Sequence, residues 1–224
     1  MIRAIVFDMD GVIIDSHPVH RRAWRKFLAT VGVSVSDDEL DFILEGRRRE
    51  EILRHFLGDL PFSIIEAYGR QKDQFFEERF TEIKLIPGVR ELLKSLGDEG
   101  IGAAIATSAS SSRTRETLSR LNLDGNFTAV VTGDDVTAGK PDPEVYLLAS
   151  KRLCLGPNEL LVIEDAPCGV LAATTAGMRC IGVSKNGRAE ALRRCGAQFV
   201  IPDFVGLKIA DLLQARNTIQ GQLL

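Results

Sequence analysis

MIRAIVFDMDGVIID, residues 1–15, is the stretch that decides the fold. Ile2, Ala4, Ile5, Val6 and Phe7 form a nearly continuous apolar run rich in β-branched and aromatic side chains, as expected of a strand buried on both faces. The run ends at two acids, Asp8 and Asp10, followed at once by Gly11, a residue that lets the backbone turn sharply. Side chains two apart in extended backbone point the same way, so both carboxylates are expected on one side at the carboxyl end of a buried strand. Open α/β sheets bind ligands there. An ordinary acidic turn would look the same in these fifteen residues, and the remainder of the chain separates the two readings.

Beyond Asp15 the periodicity changes. Residues 17–31 carry Val19, Ala23, Trp24, Phe27, Leu28 and Val31 at spacings of three and four, with Pro18 in the first turn, which predicts an amphipathic helix. A second helix is expected over 36–44, opened by Ser36 and Glu39 at capping-box spacing. Helical patterns return over 49–57 and from about 62 to 80. No strand is legible between 16 and 83, so that stretch reads as an all-helical insertion.

From Pro87 onward the texture alternates. Strands are expected over 101–107, 127–132, 160–163, 180–184 and 199–201, and helices over 89–96, 112–121, 143–153, 169–176 and 189–194. Such alternation implies a parallel sheet with helices on both faces. The expected fold is therefore α/β, with a doubly wound parallel core from residues 1–15 and 84–224 and an inserted helical cap domain over 16–83. The tail over 217–224 is expected to fray.

With 224 residues, a formal net charge of -3 and 45% hydrophobic residues, the chain has the composition of a globular protein and argues against a nucleic-acid partner. Cys154, Cys168, Cys180 and Cys195 form no CxxC pair, which suggests neither a zinc site nor a disulfide framework and fits a reducing compartment. Asp8 breaks the N-terminal apolar run too early for a signal peptide or a membrane span. A cytoplasmic protein with no membrane partner is expected.

Right-handed crossovers place all the strand ends on one side of a parallel sheet. Asp8, Asp10, Thr107, Ser108, Glu164 and Asp165 all follow expected strands and should meet in one crevice. Two like charges ~5 Å apart repel by roughly 3 kcal/mol at an effective dielectric of about 20, so four carboxylates require a cation. An all-oxygen set favours a hard ion, and few carboxylates favour Mg2+ sharing its shell with water and a phosphate over a calcium cage. Lys140, in the loop Gly139-Lys140-Pro141, adds an amine that could reach a phosphate. Thr107 and Ser108 offer hydroxyls and backbone N–H groups where a helix begins, a seat for an anion. These parts suit phosphoryl transfer, with Asp8 as the nucleophile that forms an aspartyl-phosphate. Asp10 would protonate the leaving alkoxide and later take a proton from water.

The motifs FDMDGVIIDS, IATSAS, GKPDPEVY and VIEDAPCGVLAATTAGM, in this order and spacing, resemble the haloacid dehalogenase superfamily. The likeness spans essentially the whole chain and is closest to the phosphatase and phosphomutase branch with a small helical cap. It implies a Rossmann-like core, a cap that closes over it, and the same roles for Asp8, Asp10 and Lys140. By the same resemblance Thr107 or Ser108 supplies the phosphate-binding hydroxyl, with Thr107 favoured because it directly ends the apolar run. Asp165, with Glu164, would complete the magnesium site beside Asp8 and the Asp10 main-chain carbonyl. In the cap, His20, Trp24, Gly46 and Arg49 resemble substrate-contacting positions of the mutases.

Plainer readings stand beside these. Lys140 could be a solvated loop lysine, His20 a surface histidine, and Glu164 and Asp165 caps of the next helix. Successive helical residues lie about 100° apart, so at least one of Arg47, Arg48 and Arg49 is expected to face solvent. Asp134 and Asp135 are read as structural, and Cys168 as a packed thiol. The leading function is a magnesium-dependent phosphomonoesterase for a small sugar or polyol phosphate, acting as a monomer. The rival is a β-phosphoglucomutase-type enzyme, which would pass the phosphoryl group to a second sugar hydroxyl. Glu45 stands where that branch carries a lysine, and an acid there would repel a second phosphate. A third reading, from another class, is a non-catalytic phospho-switch like the receiver domains of response regulators.

Overall fold

The computed structural model describes residues 1–184 and 187–214. The stretch 217–224 lies outside them. Strand β1 (Ala4–Phe7) is fully buried, and its side chains divide by parity: Ile5 and Phe7 join the apolar core on one sheet face, Ala4 and Val6 that on the other. The two-sided burial read from the sequence is therefore literal.

After β1 come β2 (Ile14–Asp15), α1 (His17–Thr30), α2 (Arg49–Leu57), α3 (Phe62–Glu77) and β3 (Lys84–Leu85). The chain continues through α4 (Val89–Asp98), β4 (Gly102–Ala106), α5 (Ser111–Arg120), β5 (Ala129–Val131), α6 (Glu144–Leu153) and β6 (Leu160–Glu164). It then runs through α7 (Pro167–Thr175), β7 (Arg179–Val183), α8 (Ala189–Arg194), β8 (Val200–Ile201) and α9 (Ile209–Gln214). Six strands make one parallel sheet in the order β5-β4-β1-β6-β7-β8. Phe7 is in register with Ile105 on one side and Ile163 on the other. The sheet grows from β1 toward β5 and then returns to build from the other edge of β1, so the topological switch falls at the strand that leads into Asp8 and Asp10.

Leu92 of α4, Leu118 of α5 and Leu212 of α9 fill one face of the sheet. Tyr146 of α6, Val170 of α7 and Leu192 of α8 fill the other. The expected α/β fold, doubly wound and parallel, is the observed one.

Strands β2 and β3 pair antiparallel, with Ile14 opposite Leu85, so the chain leaves the sheet region and re-enters it at one place. The helices between them share a small core of their own, built on Trp24, Phe27, Leu28, Leu40, Leu53 and Ile65. Val19, Ala23 and Phe76 turn instead toward the sheet-face core and seat α1 and α3 against it. The helix expected over 36–44 is only a 3-10 turn, Glu39–Leu44. Ser36 and Glu39 do form reciprocal capping bonds, with Ser36 N–H donating to Glu39 Oε2 at 2.8 Å and Glu39 N–H to Ser36 Oγ at 3.3 Å. The 3-10 segment ends just before Gly46, which stands at φ +85°. Strands β2 and β3 and helix α9 are additional to the expected elements. Among the described residues no helix is long and apolar enough to cross a membrane.

Candidate active site

Asp8 continues β1, its N–H bonded to Ile163 O at 3.0 Å, and its carboxylate lies at the carboxyl end of the central strands. Lys140 reaches it from the loop that leads into α6. Its Nζ is 2.6 Å from Asp8 Oδ1, 2.6 Å from Glu164 Oε1 and 3.2 Å from the Ala106 carbonyl. The lysine is 1% exposed, so the solvated-loop reading fails. Burial opposes its charge, but Asp8 and Glu164 outweigh burial and hold the amine protonated. For Asp8 the balance runs the other way. Burial pushes its carboxyl well above the usual range, Lys140 pulls down, and Glu164, Asp165 and Asp10 add to the upward push.

Glu164 was expected among the metal ligands, and its surroundings argue otherwise. Oε1 accepts from Lys140 and from the Tyr146 hydroxyl at 2.9 Å, and Oε2 accepts from the N–H groups of Asp165 and Ala166, each at 2.9 Å. Four donors occupy a carboxylate with about four acceptor positions. Gly169 is needed there because a Cβ would fall 1.7 Å from Glu164 Oε1. Glu164 thus holds Lys140 in place.

The Asp10 carboxylate is equally engaged. Arg113, on α5, grips both oxygens, with Nη1 3.0 Å from Oδ1 and Nη2 2.5 Å from Oδ2. Ser16 Oγ donates to Oδ1 at 2.6 Å, and His20 Nε2 is 3.2 Å from the same oxygen. Burial would raise the Asp10 carboxyl, but Arg113 and His20 overcome it and hold the group well below its usual range. On the other side of the imidazole, Lys72 Nζ is 3.3 Å from Nδ1. An ammonium can only donate, so Nδ1 accepts and Nε2–H points at Asp10. Burial, reinforced by Lys72, pushes His20 down to about 3, so the ring is neutral. Burial likewise lowers Lys72 to about 8.

Asp165 Oδ2 lies 3.1 Å from His17 Nε2. Gly11 passes so close, at φ +80°, that a Cβ would stand 2.2 Å from Asp165 Oδ2. Ser108 faces the cleft and donates from Oγ to the Gly46 carbonyl at 2.7 Å. Thr107 is 1% exposed, and its hydroxyl accepts from Ala109 N–H at 3.1 Å. Among the described residues no three His, Cys, Asp or Glu side chains are gathered tightly enough to hold a metal by themselves.

A cleft of about 1320 Å³ opens above Asp8 and Asp10, walled by α1, α2, α3 and the start of α5. His20, Trp24, Gly46 and Arg49 all line it. His20 is buried against Asp10, contrary to the surface reading, and Trp24 is 2% exposed. Arg49 crosses Gly69 of α3 and pairs with Asp73 and Glu66, each at 3.1 Å. Arg47 pairs with Glu45, and Arg48 donates to the Thr137 carbonyl at 2.7 Å. All three arginines are half-buried and partnered, so the expected solvent-facing member is absent. Asp134 and Asp135 serve structure, accepting from Ser111 N–H and Thr132 N–H respectively. Sequence reasoning missed Arg113, Lys72 and His17. Lys72 left a trace, since it occupies an apolar position in the buried stripe Ile65, Gly69, Lys72, Phe76 of α3.

Fold and site together define an α/β protein with buried carboxylates gathered at the carboxyl end of a parallel sheet. Residues 5–183 match the family model of the haloacid dehalogenase-like hydrolases, and the chain belongs to that family. It is 37% identical over 204 residues to the phosphorylated carbohydrates phosphatase of Thermotoga maritima, covering 88% of this chain and 92% of that one. It is 34% identical over 184 residues to hexitol phosphatase A of Escherichia coli, covering 81% and 83%. The crystal structure of β-phosphoglucomutase from Clostridium difficile superposes with a TM-score of 0.86 at 26% identity, covering 96% and 97%. Membership in a hydrolase family sets aside the non-catalytic phospho-switch.

Proposed function

We propose that the chain is a magnesium-dependent phosphomonoesterase that hydrolyses small phosphorylated sugars or polyols through an aspartyl-phosphate on Asp8. The substrate class is that of the phosphatases from Thermotoga maritima and Escherichia coli to which the chain is similar. In this reading residues 16–83 are a cap over a core of residues 1–15 and 84–224. Support comes from three bonds onto main-chain carbonyls across that division: Ser108 to Gly46, Arg48 to Thr137, and Arg188 to Leu44 at 2.9 Å. Closure of such a cap excludes water while the phosphoryl group transfers.

The oxygen set fits a hard cation. Asp8 and Asp165 are buried carboxylates, Asp8 is pushed toward its unreactive protonated form, and Gly11 leaves the Asp165 oxygen uncovered on the side of the Asp8–Asp10 turn. The Asp8 and Asp165 side chains and the Asp10 main-chain carbonyl would hold magnesium, whose remaining positions go to water and phosphate. Bound there, the ion would neutralise phosphate oxygens and favour ionised Asp8. Asp8 attacks phosphorus, the Lys140 amine balances charge on the transferring group, and Asp10 handles the proton of the leaving oxygen and later of water. Ser108 is the better candidate for the phosphate-seat hydroxyl, because Thr107 is buried and turned into its own loop.

One observation carries the preference for hydrolysis over mutase chemistry. Arg49, which resembles a substrate-contacting position of the mutases, is neutralised by Glu66 and Asp73. Glu45 lies beside it on the neighbouring Arg47. A bisphosphate would meet acids where it needs cations. The test is incubation with β-glucose 1-phosphate and a bisphosphate primer. Inorganic phosphate without glucose 6-phosphate is expected; glucose 6-phosphate formed faster than inorganic phosphate overturns the reading.

A further inference from the structure

Asp10 is held unevenly. Oδ1 has three donors near it, from Ser16, His20 and Arg113, whereas Arg113 Nη2 is the sole partner seen for Oδ2 among the described residues. Ser16 and His20 lie on the segment that enters the helical insertion, and Arg113 lies in the first turn of α5, its Nη1 3.4 Å from His20 Nε2. The guanidinium is itself fixed. Its side chain is 10% exposed, it sits over the Phe76 ring at 5.2 Å from the centroid, and its fork is bidentate on the carboxylate. Bidentate pairing sets the plane of a carboxylate, which a single donor leaves free to rotate. Each carboxylate oxygen has two acceptor positions, so an Oδ2 that takes one bond from Arg113 keeps another for a substrate or water.

We propose that Arg113 is a positioning residue for Asp10: by fixing Oδ2 it aims the carboxyl at the leaving oxygen and later at the attacking water. This rests on the reading of Asp10 as the proton donor and acceptor of the phosphatase. In the first half-reaction the proton that Asp10 took from water in the preceding turnover passes to the ester oxygen as its bond to phosphorus breaks and Asp8 forms a new one. In the second, Asp10 takes a proton from water as water oxygen bonds phosphorus and Asp8 is released. Neither transfer tolerates a carboxyl that swings about Oδ1. Phe76 belongs to α3 and Arg113 to α5, so the aim of Asp10 depends on the insertion being packed against the sheet.

The leaving group separates positioning from mere support of the fold. An alkyl phosphate needs a proton delivered to its departing oxygen, whereas p-nitrophenyl phosphate departs as a stable phenolate. In Arg113→Met, kcat for an alkyl phosphate should fall about a hundredfold with KM within about threefold. The pre-steady-state burst of p-nitrophenol should keep its full amplitude of one per enzyme, followed by slow turnover. Arg113→Lys, which supplies a charge but no fork, should recover only part of the alkyl-ester rate and serves as the second variant if the methionine protein does not fold. The proposal is overturned by equal losses in burst and alkyl turnover, by a rise in KM with kcat intact, or by full activity in either variant. Asp10→Asn is the reference. If it hydrolyses the alkyl ester at the parent rate, the reading of Asp10 itself fails, whatever Arg113 does.

Discussion

Lys140 and Asp8 are 132 residues apart in the chain and 2.6 Å apart in space. The same ammonium is 2.6 Å from Glu164, so one buried cation bridges two buried carboxylates. Removing one member of such a group leaves an uncompensated charge, which costs far more than the pair contributes while intact. Lys140→Met should therefore lower stability by about 3–5 kcal/mol in urea unfolding. Adding Glu164→Gln should recover part of that loss, and a neutral double variant no steadier than the single one would contradict this account.

If Asp8 is the nucleophile, Asp8→Asn should lose at least about a thousandfold in kcat while remaining folded, since the amide cannot form the phosphoenzyme. Rapid acid quenching with radiolabelled substrate should trap label on the parent protein and none on the variant. Label on the variant would place the nucleophile elsewhere.

Removal of divalent ions with a chelator should abolish turnover, and magnesium should restore it. A binding readout stands apart from turnover: a cation that binds only the folded state raises its unfolding temperature by mass action. Magnesium should raise the melting temperature of the parent protein, and Asp165→Asn should lose that rise. An equal rise in the variant would remove Asp165 from the ligand set.

Gly11 approaches Asp165 at positive φ, where an L side chain is strained and a Cβ would overlap the carboxylate. Gly11→Ala should cost about 1 kcal/mol or more from backbone strain alone. It should also reduce kcat well beyond what that destabilisation explains. Gly32, also at positive φ but with nothing within 4 Å of an added Cβ, is the control, where alanine should affect stability alone.

Lys72 predicts how stability varies with pH. Burial lowers its amine from 10.5 to about 8 in the folded protein. Below pH 8 both folded and unfolded chains hold the proton, and the folded state bears the whole cost of the buried charge. Between about 8 and 10.5 the unfolded chain keeps a proton that the folded chain has lost, so stability rises with pH across that window. Lys72→Met should flatten this rise. Urea midpoints from pH 7 to 10.5 provide the measurement; a parent curve that falls over that range would reverse the sign.

Much of this site was legible in the linear chain. The apolar run before Asp8, the period-two placement of Asp10 and the alternation after Pro87 rest on local periodicity. The handedness of the crossovers then carries the strand ends to one side. Together these determined the parallel sheet, the place of β1 in an α/β core, and the expectation that Asp8, Asp10 and Asp165 share one crevice, whereas the role of Lys140 came from the family resemblance.

Only the tertiary structure decided how the charges are shared. Glu164 turns from the cleft to Lys140 and two backbone N–H groups, Arg113 takes Asp10, and Arg49 spends its charge on Glu66 and Asp73. Such pairings depend on which helix faces which across gaps of tens of residues, and no local period encodes them. A charged residue reads alike in sequence whether its partner is water or a buried ion, because the difference lies in the dielectric and the neighbours that packing supplies.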